Sequence, residues 1–375
     1  MRATLRVIHR YLGLLLVLPL PVQGVSGAIL ALEPILDGIG PVPAPGMAER
    51  PSIDAIVAAA RSVAEDGMHA TRYVPPSAVR PAEVWFAPAA GAPAHGLQVV
   101  SVDPRRLTPI WPPDPRNGAM EWLRRLHTNF LLPDPGGRAI VGWTGAGLLL
   151  LAILGVPIWW PAPREWRAGF TVSATARGVR LYRRLHGAVG IWTVVLLMIA
   201  GGTGAILGFP RTIRGALGVT APVRVAPPAD SATTTDTRAP GHTLDAATAL
   251  AHAAAPGTVL RVLFLPTSAG APIRVLLAPP GSEGATAVTT VTIDPAGTRV
   301  LGVQDARTMS RVELLLRWAH DIHFGQGLGP LWLAMTIAAG VALPVFAITG
   351  TAMWFLRNRL RKRFDFGPSE LSPGE

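Results

Sequence analysis

Leu185–Phe209 reads LHGAVGIWTVVLLMIAGGTGAILGF. From Gly187 onward it holds no charged residue, and it is long enough to cross a hydrocarbon core, which takes roughly 20 helical residues. Set over residues 8–32, IHRYLGLLLVLPLPVQGVSGAILAL, it aligns His186 with His9, Gly190 with Gly13 and Gly201 with Gly24. Gly204-Ala205-Ile206-Leu207 then falls on Gly27-Ala28-Ile29-Leu30 without a gap. A basic start followed by an apolar run also fits a cleaved signal peptide, but a second copy in mid-chain favours a span at both places. Two more apolar runs, Ala139–Trp160 and Leu331–Leu356, bring the expected number of spans to four. Pro19 and Pro21 should kink the first.

The polar segments between spans repeat as well. Ser52-Ile53-Asp54-Ala55 matches Thr243-Leu244-Asp245-Ala246, and Val100-Ser101-Val102-Asp103-Pro104 matches Val291-Thr292-Ile293-Asp294-Pro295. Each copy should open with a helix, N-capped by Ser52 or Thr243 and carrying an acidic residue near its positive end. Strand-like runs follow at Ala82–Phe86, Leu97–Val102, Val259–Leu265, Ile273–Leu277 and Val288–Ile293, punctuated by Pro and Gly. The expected fold is membrane α-helical, four transmembrane helices in a duplicated 2+2 arrangement, with two small α+β domains outside. In order, the chain reads as span 8–32, outside domain 33–125, histidine-bearing turn 126–138, span 139–160, basic connection 161–184, span 185–209, outside domain 210–317, histidine-bearing turn 318–330, span 331–356 and basic tail 357–375.

Composition agrees. The chain is 49% apolar and 15% charged, where soluble proteins carry about 25% charge. The net charge of +11 is concentrated beside the spans, at Arg2, Arg6 and Arg10, at Arg164–Arg184, and at Arg357–Arg363. That is the positive-inside pattern, so both termini and the middle connection should be cytoplasmic in a bacterial inner membrane. No basic face stands apart from the membrane ends, which argues against nucleic acid as a partner. The chain has no cysteine. Disulfides, thiolate iron–sulfur clusters and covalent c-type haem are thereby excluded.

Five of nine histidines sit beside spans: His9, His127, His186, His320 and His323. Any one alone would read as a polar side chain at the interface. As a set they form two pairs. His9 and His186 occupy the same repeat position at the inner ends of spans one and three, each with a glycine one turn on, Gly13 and Gly190. Those glycines leave room for a flat macrocycle, or serve close helix packing. His127 and either His323 or His320 precede spans two and four on the outer side. Two imidazoles do not complete a zinc site, whereas haem needs only one or two axial ligands. Two non-covalent b-type haems are the economical reading.

Several strings resemble the PepSY-associated transmembrane-helix family: His9-Arg10-Tyr11-Leu12-Gly13, Leu126-His127 with Trp159-Trp160-Pro161, Leu185-His186-Gly187, Ile322-His323-Phe324-Gly325, and Thr349-Gly350-Thr351-Ala352-Met353-Trp354. The resemblance spans nearly the whole chain. Ile322 stands where Leu is usual, and Thr128-Asn129 follows His127 where a small residue is usual. It implies that the outside segments are PepSY domains, and that the chain is of the iron-regulated inner-membrane or siderophore–iron reductase type. Electrons would then reach a periplasmic ferric siderophore or other ferric chelate and release Fe(II). No nicotinamide or flavin motif is present, since Gly325–Gly329 does not follow a strand, so a separate donor is expected, a quinol or a cytoplasmic flavoprotein. Trp85, Trp111, Trp122 and Trp318 could touch the chelate or pack in a core. The alternative is a non-redox sensor or assembly factor that binds a protein or peptide outside.

Overall fold

The computed structural model describes residues 1–33, 35, 52–77, 81–88, 97–110, 115–173, 175–218, 243–268, 270–282 and 288–365, with backbone alone at 115–117, 243, 306 and 360–365. Its longer helices are α1 (Arg2–Leu15), α2 (Pro19–Ala31), α3 (Ile53–Arg61), α4 (Pro115–Asn129), α5 (Gly136–Trp159), α6 (Gly178–Gly208), α7 (Thr243–Ala254), α8 (Arg311–His323) and α9 (Pro330–Asp365). Strands are β1 (Met68–Val74), β2 (Ala82–Pro88), β3 (Gln98–Asp103), β4 (Thr108–Pro109), β5 (Val259–Phe264), β6 (Ile273–Ala278), β7 (Thr289–Ile293) and β8 (Val300–Gln304). The chain divides into a helical unit, residues 1–31, 124–210 and 322 onward, and a sheet unit, residues 32–123 and 211–321.

In the helical unit α5, α6 and α9 are each long and apolar enough to cross a membrane. Helices α1 and α2 pass that test only as a pair, bent by 65° at the break between them. Pro19 starts α2 at the bend. It lacks an amide hydrogen and its ring crowds the preceding turn, so it opens a helix and cannot continue one. Trp143, Trp192, Val195, Val341 and Ile348 are exposed on these helices. Apolar side chains facing outward are what lipid requires, and the chain is a membrane protein.

Helix α5 lies along α6, α6 along α9, α9 along α2, and α1 against α5. Glycines let the backbones touch. A Cβ on Gly201 would stand 2.8 Å from the Gly145 carbonyl oxygen, and one on Gly340 would stand 2.6 Å from that of Gly24. Any larger residue would push these helices apart, which removes the van der Waals contact that holds helices together in lipid. Leu16, Leu20, Leu148, Leu151, Ala152, Leu197, Ala339 and Leu343 fill the remaining core.

The sequence predicts one small α+β domain for each outside segment. Within the sheet unit the two segments instead share one antiparallel sheet of order β4-β3-β2-β1-β5-β6-β7-β8. The seam is β1 on β5, with Arg72 opposite Phe264 and Tyr73 opposite Leu263. Pairing β1 with β5 removes two open edges that would otherwise recruit foreign strands. Ile56 and Val57 of α3 and Ala247 and Ala251 of α7 belong to one continuous core with Val84, Phe86, Leu263, Ile273 and Val291. Ser52 accepts from the Ala55 amide and caps α3, as expected; the side chain of Thr243 lies outside the described residues. The expected strands appear within a residue or two. Asp294 closes the β7–β8 turn by accepting from the Thr298 and Arg299 amides at 2.6 and 2.9 Å. Burial alone would raise its carboxyl, but these bonds hold it below the ordinary carboxylate value.

The histidine-bearing turns expected at 126–138 and 318–330 are not turns at the histidines themselves. His127 and His323 ride the last turns of α4 and α8. The chain leaves α4 through Phe130 and Leu131 at φ 53° and 61°, and leaves α8 through Gly325 at φ 73°.

Candidate functional site

The helical unit gathers four of the five expected histidines into two pairs. The rings of His9 and His186 have centres 6.3 Å apart at an interplanar angle of 79°. Those of His127 and His323 are 6.2 Å apart at 49°. His9 sits midway along α1 and His186 in the first third of α6, whereas His323 packs over Gly204 near the end of α6. At 1.5 Å of rise per residue, His186 and Gly204 are separated by roughly 27 Å along that helix. The pairs therefore occupy opposite ends.

His320 belongs to the sheet unit, with its side chain 41% exposed and Nδ1 3.3 Å from the carboxylate of Asp321. The i, i+3 spacing left His320 and His323 as equal candidates, and the structure brings only His323 to His127.

His127 and His323 each lie on a glycine of a neighbouring helix. A Cβ on Gly27 would stand 2.8 Å from His127 Cε1, and one on Gly204 would stand 3.3 Å from His323 Cε1. The preceding residue in each case supplies a hydroxyl. Ser26 Oγ is 2.9 Å from His127 Nδ1 and Thr203 Oγ1 is 2.8 Å from His323 Nδ1. At the other pair Thr349 Oγ1 is 2.8 Å from His186 Nδ1, and Gly350 lies beside the ring. Gln23 Nε2 donates to the His127 carbonyl at 2.8 Å, and Trp332 Nε1 donates to the Ile322 carbonyl at 3.0 Å, so both helix ends are tied down. Sequence reasoning missed these supports. Their signal was a hydroxyl–glycine dipeptide, Ser26-Gly27, Thr203-Gly204 and Thr349-Gly350, which can be recognised once the facing histidine is known.

Gly13 and Gly190 behave differently from the packing glycines. A Cβ on Gly13 would meet nothing nearer than Leu151 Cδ2 at 4.0 Å, and one on Gly190 nothing nearer than Phe346 Cε1 at 3.8 Å. Helix contact does not demand glycine there. A small apolar cleft of about 20 Å³, partly open, lies beside His323 among Leu196, Ile199, Ala200, Trp332, Thr336 and Ala339. Arg6, Arg10 and Arg183 stand close enough to Arg357 for their charges to act on it.

The donor set fits a macrocycle better than a bare ion. Among the described residues no group of three or more His, Asp or Glu side chains could hold a metal ion. Two imidazoles on opposite sides of one metal, each with a metal–nitrogen bond of roughly 2 Å, have ring centres roughly 6 Å apart. Both pairs have that spacing. In the sheet unit Trp85 is engaged by its Nε1 contact to Glu83 at 3.4 Å and by the Arg72 guanidinium over its ring. Trp122 and Trp318 are exposed, and Trp111 lies outside the described residues.

A stretch of 104 residues is 38% identical to an uncharacterized protein of Pseudomonas aeruginosa, covering 27% of this chain and 23% of that protein. The family description "PepSY-associated TM region" matches residues 6–357. Nearly the full length is matched, and the chain belongs to the PepSY-associated TM region family.

Proposed function

We propose that this chain is a b-haem membrane electron carrier that reduces a ferric siderophore, or another ferric chelate, on the outer side of the bacterial inner membrane. The observation that carries it is two imidazole pairs, with ring centres 6.3 and 6.2 Å apart, one toward each end of the helical unit. When bound, haem supplies a one-electron iron couple. His9 with His186, and His127 with His323, would hold the two groups. Gly13 and Gly190 keep space open beside the inner pair, and the apolar helix walls exclude water. Each Fe(III) delivered takes one electron from a separate donor, a quinol or a cytoplasmic flavoprotein, and leaves as Fe(II).

The topology belongs to the same proposal. The arginine clusters at 2–10, 164–184 and 357–363 support cytoplasmic termini and a cytoplasmic middle connection. The joined sheet unit would then be periplasmic, formed from two PepSY-like halves. Duplication in a 2+2 arrangement is supported by matched contacts: Gly24 on Gly340 and Gly201 on Gly145, and Ser26 on His127 and Thr203 on His323.

The visible spectrum of the full-length protein, purified in detergent from haem-replete cells, tests this reading. A Soret band that shifts on dithionite reduction is expected, with about two haems per chain. A colourless protein would end the redox reading and leave the non-redox sensor or assembly factor.

A further inference from the structure

The hydroxyls that touch the histidines have one proton each, and that proton is already committed. Ser26 Oγ donates to the Val22 carbonyl at 2.5 Å, Thr203 Oγ1 to Ile199 at 2.6 Å, and Thr349 Oγ1 to Val345 at 2.7 Å. A carbonyl oxygen can only accept, so each hydroxyl oxygen must accept from the imidazole. The Nδ1 atoms of His127, His323 and His186 therefore carry hydrogen. A neutral imidazole has only one N–H, so Nε2 is the unprotonated nitrogen of each ring.

The fourth histidine is different. Gly155 lies beside His9 as Gly350 lies beside His186, each with its ideal Cβ 3.8 Å from the ring's Cε1. The residue before Gly350 is Thr349; the residue before Gly155 is Leu154. His9 Nδ1 is buried and has no hydrogen-bond partner among the described residues. The Leu151 carbonyl is near the ring, but without hydrogen-bond geometry at Nδ1.

We propose that Ser26, Thr203 and Thr349 are positioning residues that hold Nε2 of His127, His323 and His186 ready to coordinate metal, and that the inner centre is asymmetric because Leu154 stands where His9 lacks the matching hydroxyl. This rests on the haem reading above and deepens it. An imidazole that donates from Nδ1 is a more basic ligand and is fixed in ring orientation. Such a ligand favours the ferric state. His186 is then the anchor of the inner site and His9 the weaker partner, while the outer site is supported on both sides. Neither side chain of Thr349 nor of Leu154 needs to touch the metal for this difference to arise.

The test uses the full-length chain in detergent, with haem retention and reductive midpoint potential as readouts. Thr349→Val should weaken retention at the inner site, about 10-fold or more by analogy with other supports behind metal ligands, and shift its potential upward. Thr349→Ser should restore both. Leu154→Thr should do the opposite, tightening retention and shifting the inner potential downward. Ser26→Ala and Thr203→Val should move only the outer potential. A second readout needs no haem: ¹⁵N-histidine spectra of the haem-depleted chain should show His186 as the Nδ1–H form, and Thr349→Val should release that preference. If the wild type takes up no haem, the parent reading fails and this one falls with it. If it binds haem, yet Thr349→Val and Leu154→Thr move neither retention nor potential, the inference alone is overturned. Loss of fold in Thr349→Val does not rescue it, because Leu154→Thr predicts a gain.

Discussion

Asp54 and Asp245 cap each other's helices. The Asp54 carboxylate accepts from the backbone amides of Leu244 and Asp245 at 3.0 Å, and the Asp245 carboxylate accepts from the Ile53 amide at 2.8 Å and the Ser52 hydroxyl at 2.5 Å. An acidic residue in the first turn suits its own helix dipole, and that was the reading of the repeated Ser-Ile-Asp-Ala and Thr-Leu-Asp-Ala strings. The structure turns each side chain to the neighbouring helix, so a local rule becomes a tie between segments 190 residues apart.

This arrangement predicts a crossed effect. Asp54→Ala should speed hydrogen exchange at the start of α7, and Asp245→Ala at the start of α3. Each should cost the sheet unit about 1 kcal/mol, as lost caps do. Exchange of the full-length chain, read by mass spectrometry, checks it. If each substitution loosens only its own helix, the reciprocal caps are wrong.

At the inner pair, His9→Ala and His186→Ala should each deplete the same haem, with His186→Ala the more severe. The double variant should lose no more than the worse single, because both imidazoles would share one iron. Haem-to-protein ratios of the three variants decide this. A double variant that loses about twice as much as either single would mean that the rings serve separate sites.

Losing the outer pair should separate chemistry from electron entry. A chelate too large and polar to enter the helices can meet only the end carrying His127 and His323. In proteoliposomes His127→Ala and His323→Ala should abolish reduction of an external ferric chelate, while the inner haem stays reducible from the other side. His320→Ala should keep the outer haem. Wild-type chelate reduction by His127→Ala would sink the proposed relay.

The arginine distribution gives a topological prediction. Alkaline phosphatase fused after Gly281 should be active, since that turn belongs to the sheet unit proposed to be periplasmic. Fused after Ser173, in the basic connection, it should be inactive. Activity at Ser173 would reverse the orientation.

The sequence determined the spans, their basic flanks and most strands, because these depend on composition and period over short windows. Gly187–Phe209 holds no charged residue, and nothing distant is needed to see that it avoids water. The alignment of His9 with His186 likewise came from the chain alone, since duplication is a linear property. What required tertiary structure was every relation between segments. His323 and His320 are equivalent candidates by spacing, and only the packing of α8 over Thr203 and Gly204 brings His323 to His127. The sequence predicts no strand at β1, and β5 reads as an ordinary strand; only their pairing joins the two expected domains in one sheet. Ser26, Thr203 and Thr349 read as incidental polar residues in apolar helices. Their hydroxyls acquire a role only where a histidine far away in sequence meets them, because a hydrogen bond is fixed by distance in space and leaves no period along the chain.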